Sequence, residues 1–180
     1  MNGYAVLTAS GSDRVGIVDD VSAVLLDHGC NIEESRMSVL GGEFALILLV
    51  SGDQERINQL LERVNEIGRG IDLQMSGRTT GPHASDPHGR PYAIECVSLD
   101  TPGIVHSVTG LLRRRGINID ELETVTTGAP FTGAPMFRMS IVAIVPPGVE
   151  VGRLRNELGE IASAQDLDIS MKPIVIGPEE

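Results

Sequence analysis

The residues best suited to chemistry lie at a Pro-Gly turn, where an apolar stretch gives way to an amphipathic pattern. In the segment Ser98–Leu112, Thr101 is placed to cap a helix whose first residue is Pro102, a position where a missing N–H costs nothing. Gly103 removes the side chain where the helical turn begins, so unpaired N–H groups and the positive end of the helix dipole would face solvent. We expect this turn to bind a small anion such as the α-carboxylate of an amino acid, although Pro-Gly also serves as a plain tight turn.

An asparagine that follows the same helix is the second candidate. Asn118 lies in the stretch GINIDE, and Asn31 lies in the similar stretch GCNIEE. An amide can hydrogen-bond the ammonium and carboxylate groups of a ligand, or it can simply hold loop backbone. Gly16 precedes Asn31 by as many residues as Gly103 precedes Asn118. The combination of turn and asparagine is therefore more specific than either part.

The sequence contains an internal duplication. Gly16-Ile17-Val18 matches Gly103-Ile104-Val105 at an offset of 87 residues. The same offset relates four further pairs: Asp13 and Asp100, Gly29 and Gly116, Asn31 and Asn118, and Ile32 and Ile119. The region between the copies is rich in turn formers and predicts a linker. The expected organisation is a first module over residues 1–77, a linker over 78–90, a second module over 91–176 and a tail over 177–180.

Each copy shows the same order of predicted elements. Apolar residues at Ile17, Val21, Val24 and Leu25 have the spacing of one helical face. The first copy predicts strand 4–9, helix 16–28, strands 31–40 and 43–50, helix 54–67 and strand 71–76. The second predicts strand 92–98, helix 103–115, strands 118–126 and 136–145, helix 149–162 and strand 167–176, with 126–135 as an inserted loop. The order βαββαβ, twice, predicts an α+β fold of two ferredoxin-like modules with antiparallel sheets.

The third strand of the first copy, FALILLV, is apolar at every position. Both helices of a ferredoxin-like module cover one face of its sheet, and strict alternation is expected where the other face meets water. We therefore expect the second face to be buried as well, against the sister copy or another chain. Modules this small bury only about 60% of their chain surface alone, which favours pairing and a homodimer.

Composition narrows the class of protein. The chain has 25 acidic and 14 basic residues, a net charge of −11 and 3% aromatic residues, which argues against direct binding of nucleic acid. No apolar run has the roughly 20 residues of a membrane span, and no signal-peptide pattern is present, so a cytoplasmic protein is expected. Cys30 and Cys96 are isolated and the histidines lack zinc-type spacing. We expect no metal and no cofactor.

Two patterns resemble catalytic motifs. The stretch DLDIS, Asp166–Ser170, is similar to the two-aspartate motif of haloacid-dehalogenase-type phosphatases, but too few residues follow it for a catalytic domain. Arg14 beside the first turn leaves one enzymatic alternative, an anion-binding loop like that of an acylphosphatase. No Ser-His-Asp set or Walker loop is present. We therefore expect a protein that is not an enzyme.

The duplicated constellation resembles the ACT domains, small ligand-binding regulatory modules of amino-acid metabolism. Their pattern DxPGIV…GxNI is matched in the second copy by Asp100, Pro102, Gly103, Ile104, Val105, Gly116, Asn118 and Ile119. The first copy matches it with Asp13, Gly16, Ile17, Val18, Gly29, Asn31 and Ile32, but has Val15 in place of the proline. The resemblance covers nearly the whole chain. Two copies without another domain are similar to the glycine cleavage system transcriptional repressor group.

The resemblance implies a regulatory amino-acid site between paired modules, with glycine or serine as natural ligands. The loop before the first helix of one module, with Gly16 or Gly103, would hold the ligand's carboxylate, and Asn31 or Asn118 of the neighbour would complete the site. Asp13 and Asp100 would contact the ammonium group or brace the turn. The protein partner implied is a DNA-binding activator. The alternative is a ligand-free dimerisation module.

Overall fold

The computed structural model describes residues 2–82, 89–99, 101–129 and 133–175, and the chain divides into two compact units, residues 1–85 and 86–180. The first unit contains β1 (Asn2–Ser12), α1 (Ile17–Asp27), β2 (Cys30–Leu40), β3 (Glu43–Asp53), α2 (Gln54–Gly70) and β4 (Gln74–Thr80). The second contains β5 (Arg90–Leu99), α3 (Ile104–Arg114), β6 (Asn118–Gly128), β7 (Pro135–Val145), α4 (Val151–Gln165) and β8 (Asp168–Pro173). The predicted βαββαβ order is confirmed in both units.

Each unit has one four-stranded antiparallel sheet with the same topology. The strand order is β2-β3-β1-β4 in the first unit and β6-β7-β5-β8 in the second. The central pairs have matching registers, since Gly11 lies opposite Phe44 in one sheet and Ser98 lies opposite Phe137 in the other. The duplication seen in the sequence is therefore a duplication of structure, and the α+β, ferredoxin-like prediction is confirmed.

The core of the first unit lies between its sheet and its two helices. Every second residue of β3 is buried, at Phe44, Leu46, Leu48 and Val50. The buried face of α1 is formed by Ile17, Val21 and Leu25, whereas Val24 packs at the edge of the core. The helical face predicted from spacing is thus confirmed. Burying one such side chain fully contributes about 1.5–3 kcal/mol.

The other face of the first sheet carries an exposed apolar side chain. Ile47 is 47% exposed there, while Val6 and Leu49 on the same face are partly buried. On the corresponding face of β7, Val142 and Ile144 are partly buried. Although β3 is apolar throughout, its burial alternates as in a sheet with one open face. The full burial expected for this face is not supplied within the first unit, and burial against the sister copy or a second chain stays a prediction.

The end of the first unit differs from the sequence-based expectation. α2 continues to Gly70, and at Gly68 it lies so close to the following chain that a Cβ there would be 2.7 Å from the carbonyl oxygen of Leu73. Asp72 adopts a φ of 57°, and the strand predicted from Ile71 begins only at Gln74. A close backbone contact of this kind leaves no periodic signal in the sequence.

The segment predicted as linker is partly strand. Residues 78–80 belong to β4, where Thr80 lies opposite Tyr4, and Arg90 begins β5 opposite Val145. The polar residues 78–80 suit β4, which is an edge strand, and their composition is why hydrophobic patterning missed them. Residues 83–88 lie outside the described residues, as do residues 130–132 of the predicted inserted loop and the tail from residue 176.

An ion pair joins the C-cap residue of α3 to α4. Arg115 Nε donates to Glu157 Oε2 at 2.7 Å, and Arg115 Nη2 donates to Glu157 Oε1. Arg153 Nε lies 3.4 Å from Glu157 Oε1. The hydrogen bonds from Arg115, followed by the charges of both arginines, hold the pKa of Glu157 below its ordinary value of 4.5. The carboxylate is therefore stabilised in its ionised form.

Glu157→Gln is expected to lower the stability of the second unit at pH 7. Because the folded pKa is lowered, this stabilisation is present above the ordinary pKa of about 4.5 and is lost as the pH falls through the lowered value. Urea unfolding at pH 7 and at pH 3 should show the gap between wild type and variant closing in acid. Glu160→Gln, at an exposed position on the same helix, is the control. A gap that persists unchanged at pH 3 contradicts the prediction.

Candidate functional site

The loops before α1 and α3 have the same conformation. Gly16 has φ 93° and ψ −3°, and Gly103 has φ 100° and ψ −6°, so both N-cap residues lie in the left-handed region that favours glycine. A Cβ at either position would meet nothing within 4 Å, so the backbone conformation alone requires glycine. The first helical bonds run from Asp20 N to Gly16 O and from Ser107 N to Gly103 O, each at 2.9 Å. Neither N-cap supplies a side-chain cap, which leaves the first-turn N–H groups without helical partners.

The predicted N-cap of α3 is wrong by two residues. Thr101 is not the N-cap, since its Oγ1 donates to the carbonyl oxygen of Leu99 at 3.2 Å. Pro102 precedes the helix, which begins at Ile104 after the glycine N-cap. Threonine and glycine rank about equally as N-caps by residue type, and the positive φ of Gly103 places the helix start beyond the threonine. The absence of a capping hydroxyl leaves these N–H groups more available to an anion than the sequence implied.

The first loop is anchored to its own unit. Asp13 N donates to Gly42 O at 2.9 Å, which fixes the loop beside the β2–β3 hairpin. Arg14 Nη2 donates to Asp20 Oδ2 at 2.6 Å and to Ile71 O at 3.0 Å. Arg14 was the residue that favoured an acylphosphatase-like anion loop. Its guanidinium instead links the first loop to α1 and to the end of α2. Val15, which replaces the proline, is fully exposed and leaves the glycine conformation unchanged.

A β-bulge follows each asparagine. The pairing of β2 with β3 shifts register between Ile32 and Glu34, which leaves Glu33 as the extra residue. The pairing of β6 with β7 shifts between Ile119 and Glu121 and leaves Asp120. Bulges redirect side chains and recur near functional sites. The two units therefore present a bulged acidic residue two positions after the asparagine.

The first bulge organises a hydrogen-bonded group. Asn31 Nδ2 donates to Glu33 Oε1 at 3.3 Å, and the hydroxyl of Ser51 donates to the same oxygen. The hydrogen bond from Ser51, then that from Asn31, lowers the pKa of Glu33 below its ordinary value of 4.5. The sequence pattern contained Glu33 but not its link to Ser51, because that link depends on the register of β2 against β3. The only sequence signal for Glu33 is that both copies have an acidic residue two positions after the asparagine.

The glycine and the asparagine of one unit lie at opposite ends of its sheet. Asn31 and Tyr4 both lie opposite Ser51, whereas Ser12, just before the glycine loop, lies opposite Glu43 at the hairpin. The 11 residues of α1 span about 16 Å between the two ends. The second unit repeats this arrangement through the same topology. Neither unit brings its own glycine loop and asparagine together.

Some of the remaining residues predicted to contact the ligand are buried in the core, and others are exposed. Ile17 and Ile104 are 2% exposed, so their side chains belong to the core and only their backbone can face a ligand. Ile119 is partly buried and packs against the core of the second unit. Val18, Val105 and Ile32 are exposed to between 37% and 50%, beside the helix starts and the first bulge. Asp100 lies outside the described residues.

The described residues contain neither a metal-binding cluster nor a membrane-spanning helix. Among the described residues, no group of three or more histidine, cysteine, aspartate or glutamate side chains could hold a metal ion. Cys30 is partly buried and Cys96 is buried, both as free thiols, and burial raises the pKa of each. In the part of the chain that the structure describes, no helix is both long and apolar enough to cross a membrane.

Known proteins resemble this chain in sequence and in structure. The ACT domain family matches residues 3–76 and again residues 92–160. The glycine cleavage system transcriptional repressor of Escherichia coli (strain K12) is 30% identical over 153 residues, covering 85% of this chain and 80% of the relative. The crystal structure of an unknown protein from Galdieria sulphuraria superposes with a TM-score of 0.82 at 34% identity, covering 97% of this chain and 100% of that chain. A UPF0237 protein of Methanopyrus kandleri is 38% identical over 73 residues, 38% of this chain and 81% of the relative.

Proposed function

Because the chain belongs to the ACT-domain family and carries two such domains in tandem, we propose that it is a noncatalytic regulator that binds a small amino acid. The observation that supports this most is the repeated glycine N-cap at positive φ, which leaves the first turns of α1 and α3 without side-chain caps. Uncapped N–H groups at the positive end of a helix dipole favour a carboxylate. Glycine and serine are the ligands proposed.

A complete site needs parts from two ACT domains. Gly16 and Asn31 lie at opposite ends of one unit, and topology repeats this separation for Gly103 and Asn118. We therefore assign the ligand's carboxylate to the glycine loop of one domain and its remaining polar groups to the asparagine of a neighbouring domain. The neighbour belongs to the same chain or to a second copy in a homodimer. The loop before α3, which contains Gly103 and keeps Pro102, is the preferred carboxylate site.

The output of the regulator is proposed to be a protein contact. The relative from Escherichia coli is by name a transcriptional repressor. For this chain we propose a cytoplasmic role in transcriptional control of amino-acid metabolism, through a DNA-binding activator rather than through DNA itself. The net charge of −11 supports that choice, because binding to phosphate backbones needs clustered positive charge.

Calorimetric titration of the full chain with each of the twenty amino acids tests the ligand. We expect saturable heat from glycine or serine and a rise in the unfolding temperature, because ligand at 100 times Kd adds about 2.7 kcal/mol to stability. Acetate at equal concentration controls for binding of a bare carboxylate. The absence of heat and of any thermal shift for all twenty amino acids would refute the ligand claim.

A ligand-free interaction module is the second candidate. The exposed side chain of Ile47, with the partly buried Val6 and Leu49 on the same open face of the first sheet, favours it, since apolar patches mark interaction surfaces. The same titration separates the two functions. A module used only for association would form oligomers in sedimentation experiments and show no response to amino acids.

A further inference from the structure

We infer that Glu33 accepts the α-ammonium group of the bound amino acid and gives the half-site of the first unit its preference for amino acids over 2-hydroxy acids. The inference rests on the proposed function, since it concerns the site to which Asn31 belongs. It replaces the sequence-based choice of Asp13 or Asp100 as the ammonium contact. Three features of the structure support it: the anchoring of the carboxylate, its charge and the contrast with the second unit.

The carboxylate of Glu33 is anchored through one oxygen only. Asn31 Nδ2 donates to Oε1 at 3.3 Å and the hydroxyl of Ser51 donates to the same atom. Ser51 is 8% exposed, so its hydroxyl is a buried and fixed donor. Within the described residues Oε2 makes no hydrogen bond, and the Glu33 side chain is exposed. One oxygen is therefore held in place while the other faces solvent as an acceptor.

The charge of this group selects the ligand chemistry. Hydrogen bonds from Ser51 and Asn31 lower the pKa of Glu33, so the group is a carboxylate at neutral pH. A carboxylate with a free, positioned oxygen binds an ammonium group through a charge-assisted hydrogen bond, which is roughly twice as strong as a neutral one. A hydroxyl at the same carbon of the ligand offers only a neutral donor. The half-site is therefore matched to a zwitterionic amino acid.

The second unit lacks this arrangement at the equivalent bulge. Asp120 is one methylene shorter than Glu33, and Asn118 lies opposite Ile144, whereas Asn31 lies opposite Ser51. In the part of the chain that is described, neither Asn118 nor Asp120 makes a side-chain hydrogen bond. An unanchored aspartate has no fixed oxygen to offer. The two asparagine half-sites are thus chemically different, and the first is the one built for an ammonium group.

Titration with matched ligand pairs tests the assignment. The probes are glycine with glycolate and L-serine with L-glycerate, in which a hydroxyl replaces the ammonium group. Wild-type chain is expected to prefer the amino acid by about tenfold or more, which is the size of one charge-assisted hydrogen bond. Glu33→Gln should remove that preference by weakening the amino acid about tenfold while glycolate or L-glycerate changes less than about threefold. Ser51→Ala, which keeps the charge but removes the anchor, should weaken the amino acid to an intermediate degree.

Asp120→Asn is the matched control, because it removes the same charge from the equivalent bulge of the second unit. It is expected to leave both members of each pair within about threefold of wild type. Circular dichroism and thermal unfolding should confirm that Glu33→Gln folds, as expected for an exposed side chain. Unchanged preference in Glu33→Gln, or equal weakening in Asp120→Asn, overturns the inference and leaves the proposed function standing. If wild-type chain binds neither glycine nor L-serine, the proposed ligand fails and this inference fails with it.

Discussion

Leu25→Ala is expected to destabilise the first unit by about 2–5 kcal/mol, whereas Leu26→Ala is expected to change its stability by less than about 0.5 kcal/mol. The two leucines are neighbours in α1, but Leu25 is 1% exposed and Leu26 is 76% exposed. Truncating the buried side chain removes its transfer free energy and leaves a cavity between the helix and the sheet. Truncating the exposed Leu26 side chain changes the free energy of unfolding little, because that side chain already contacts water in the folded state. Both variants carry the same change in helix propensity.

Urea unfolding of the full chain measures both effects. Because the chain has two compact units with separate cores, the loss in Leu25→Ala should appear in the transition of the first unit. Leu112→Ala is the equivalent change in the second unit, at a residue that is 0% exposed. It should move the other transition by a similar amount. Equal losses in Leu25→Ala and Leu26→Ala would contradict the helix orientation described above.

Gly103→Ala is expected to cost about 1–3 kcal/mol of stability, because alanine is forced into a backbone conformation that L side chains rarely adopt. No atom lies within 4 Å of the added Cβ, so the cost comes from the φ of 100° and not from crowding. The same strain displaces the start of α3. Binding of glycine or serine should therefore weaken by about tenfold or more, if this loop holds the carboxylate.

Gly110→Ala provides the matched control within the same helix. Gly110 lies in the interior of α3, and a Cβ there would meet only Arg114 Nη1, at an ordinary 3.6 Å. Alanine at this position is expected to stabilise the unit by about 0.5–1 kcal/mol. Thermal unfolding and amino-acid titration of both variants give the comparison. Normal stability in Gly103→Ala would show that the loop tolerates a side chain and would remove the structural basis for the site.

The parts of the site differ in how far sequence could predict them. The glycine N-caps and the asparagines stand out because the chain repeats them at a constant offset, and the structure gives both glycines the same positive φ. The start of α3 was misplaced because threonine followed by proline is a common helix start by residue type, while the threonine hydroxyl in fact donates to the carbonyl oxygen of Leu99. Glu33 lay inside the recognised pattern, yet nothing in its neighbours along the chain indicates Ser51, which is 18 residues away.

The sequence by itself determined the order of elements, the buried faces of the helices and the membership of the ACT family, because these depend on local periodicity and on a repeated motif. The tertiary structure alone decided which groups meet. Cross-strand register placed Ser51 against the bulged Glu33, and Ile144 at the equivalent position opposite Asn118. The antiparallel topology put Gly16 and Asn31 at opposite ends of one sheet. Hydrophobic patterning and turn geometry help to set register, but they do not indicate the one-residue bulge at Glu33. The order of strands in the sheet depends on contacts between residues far apart in the chain.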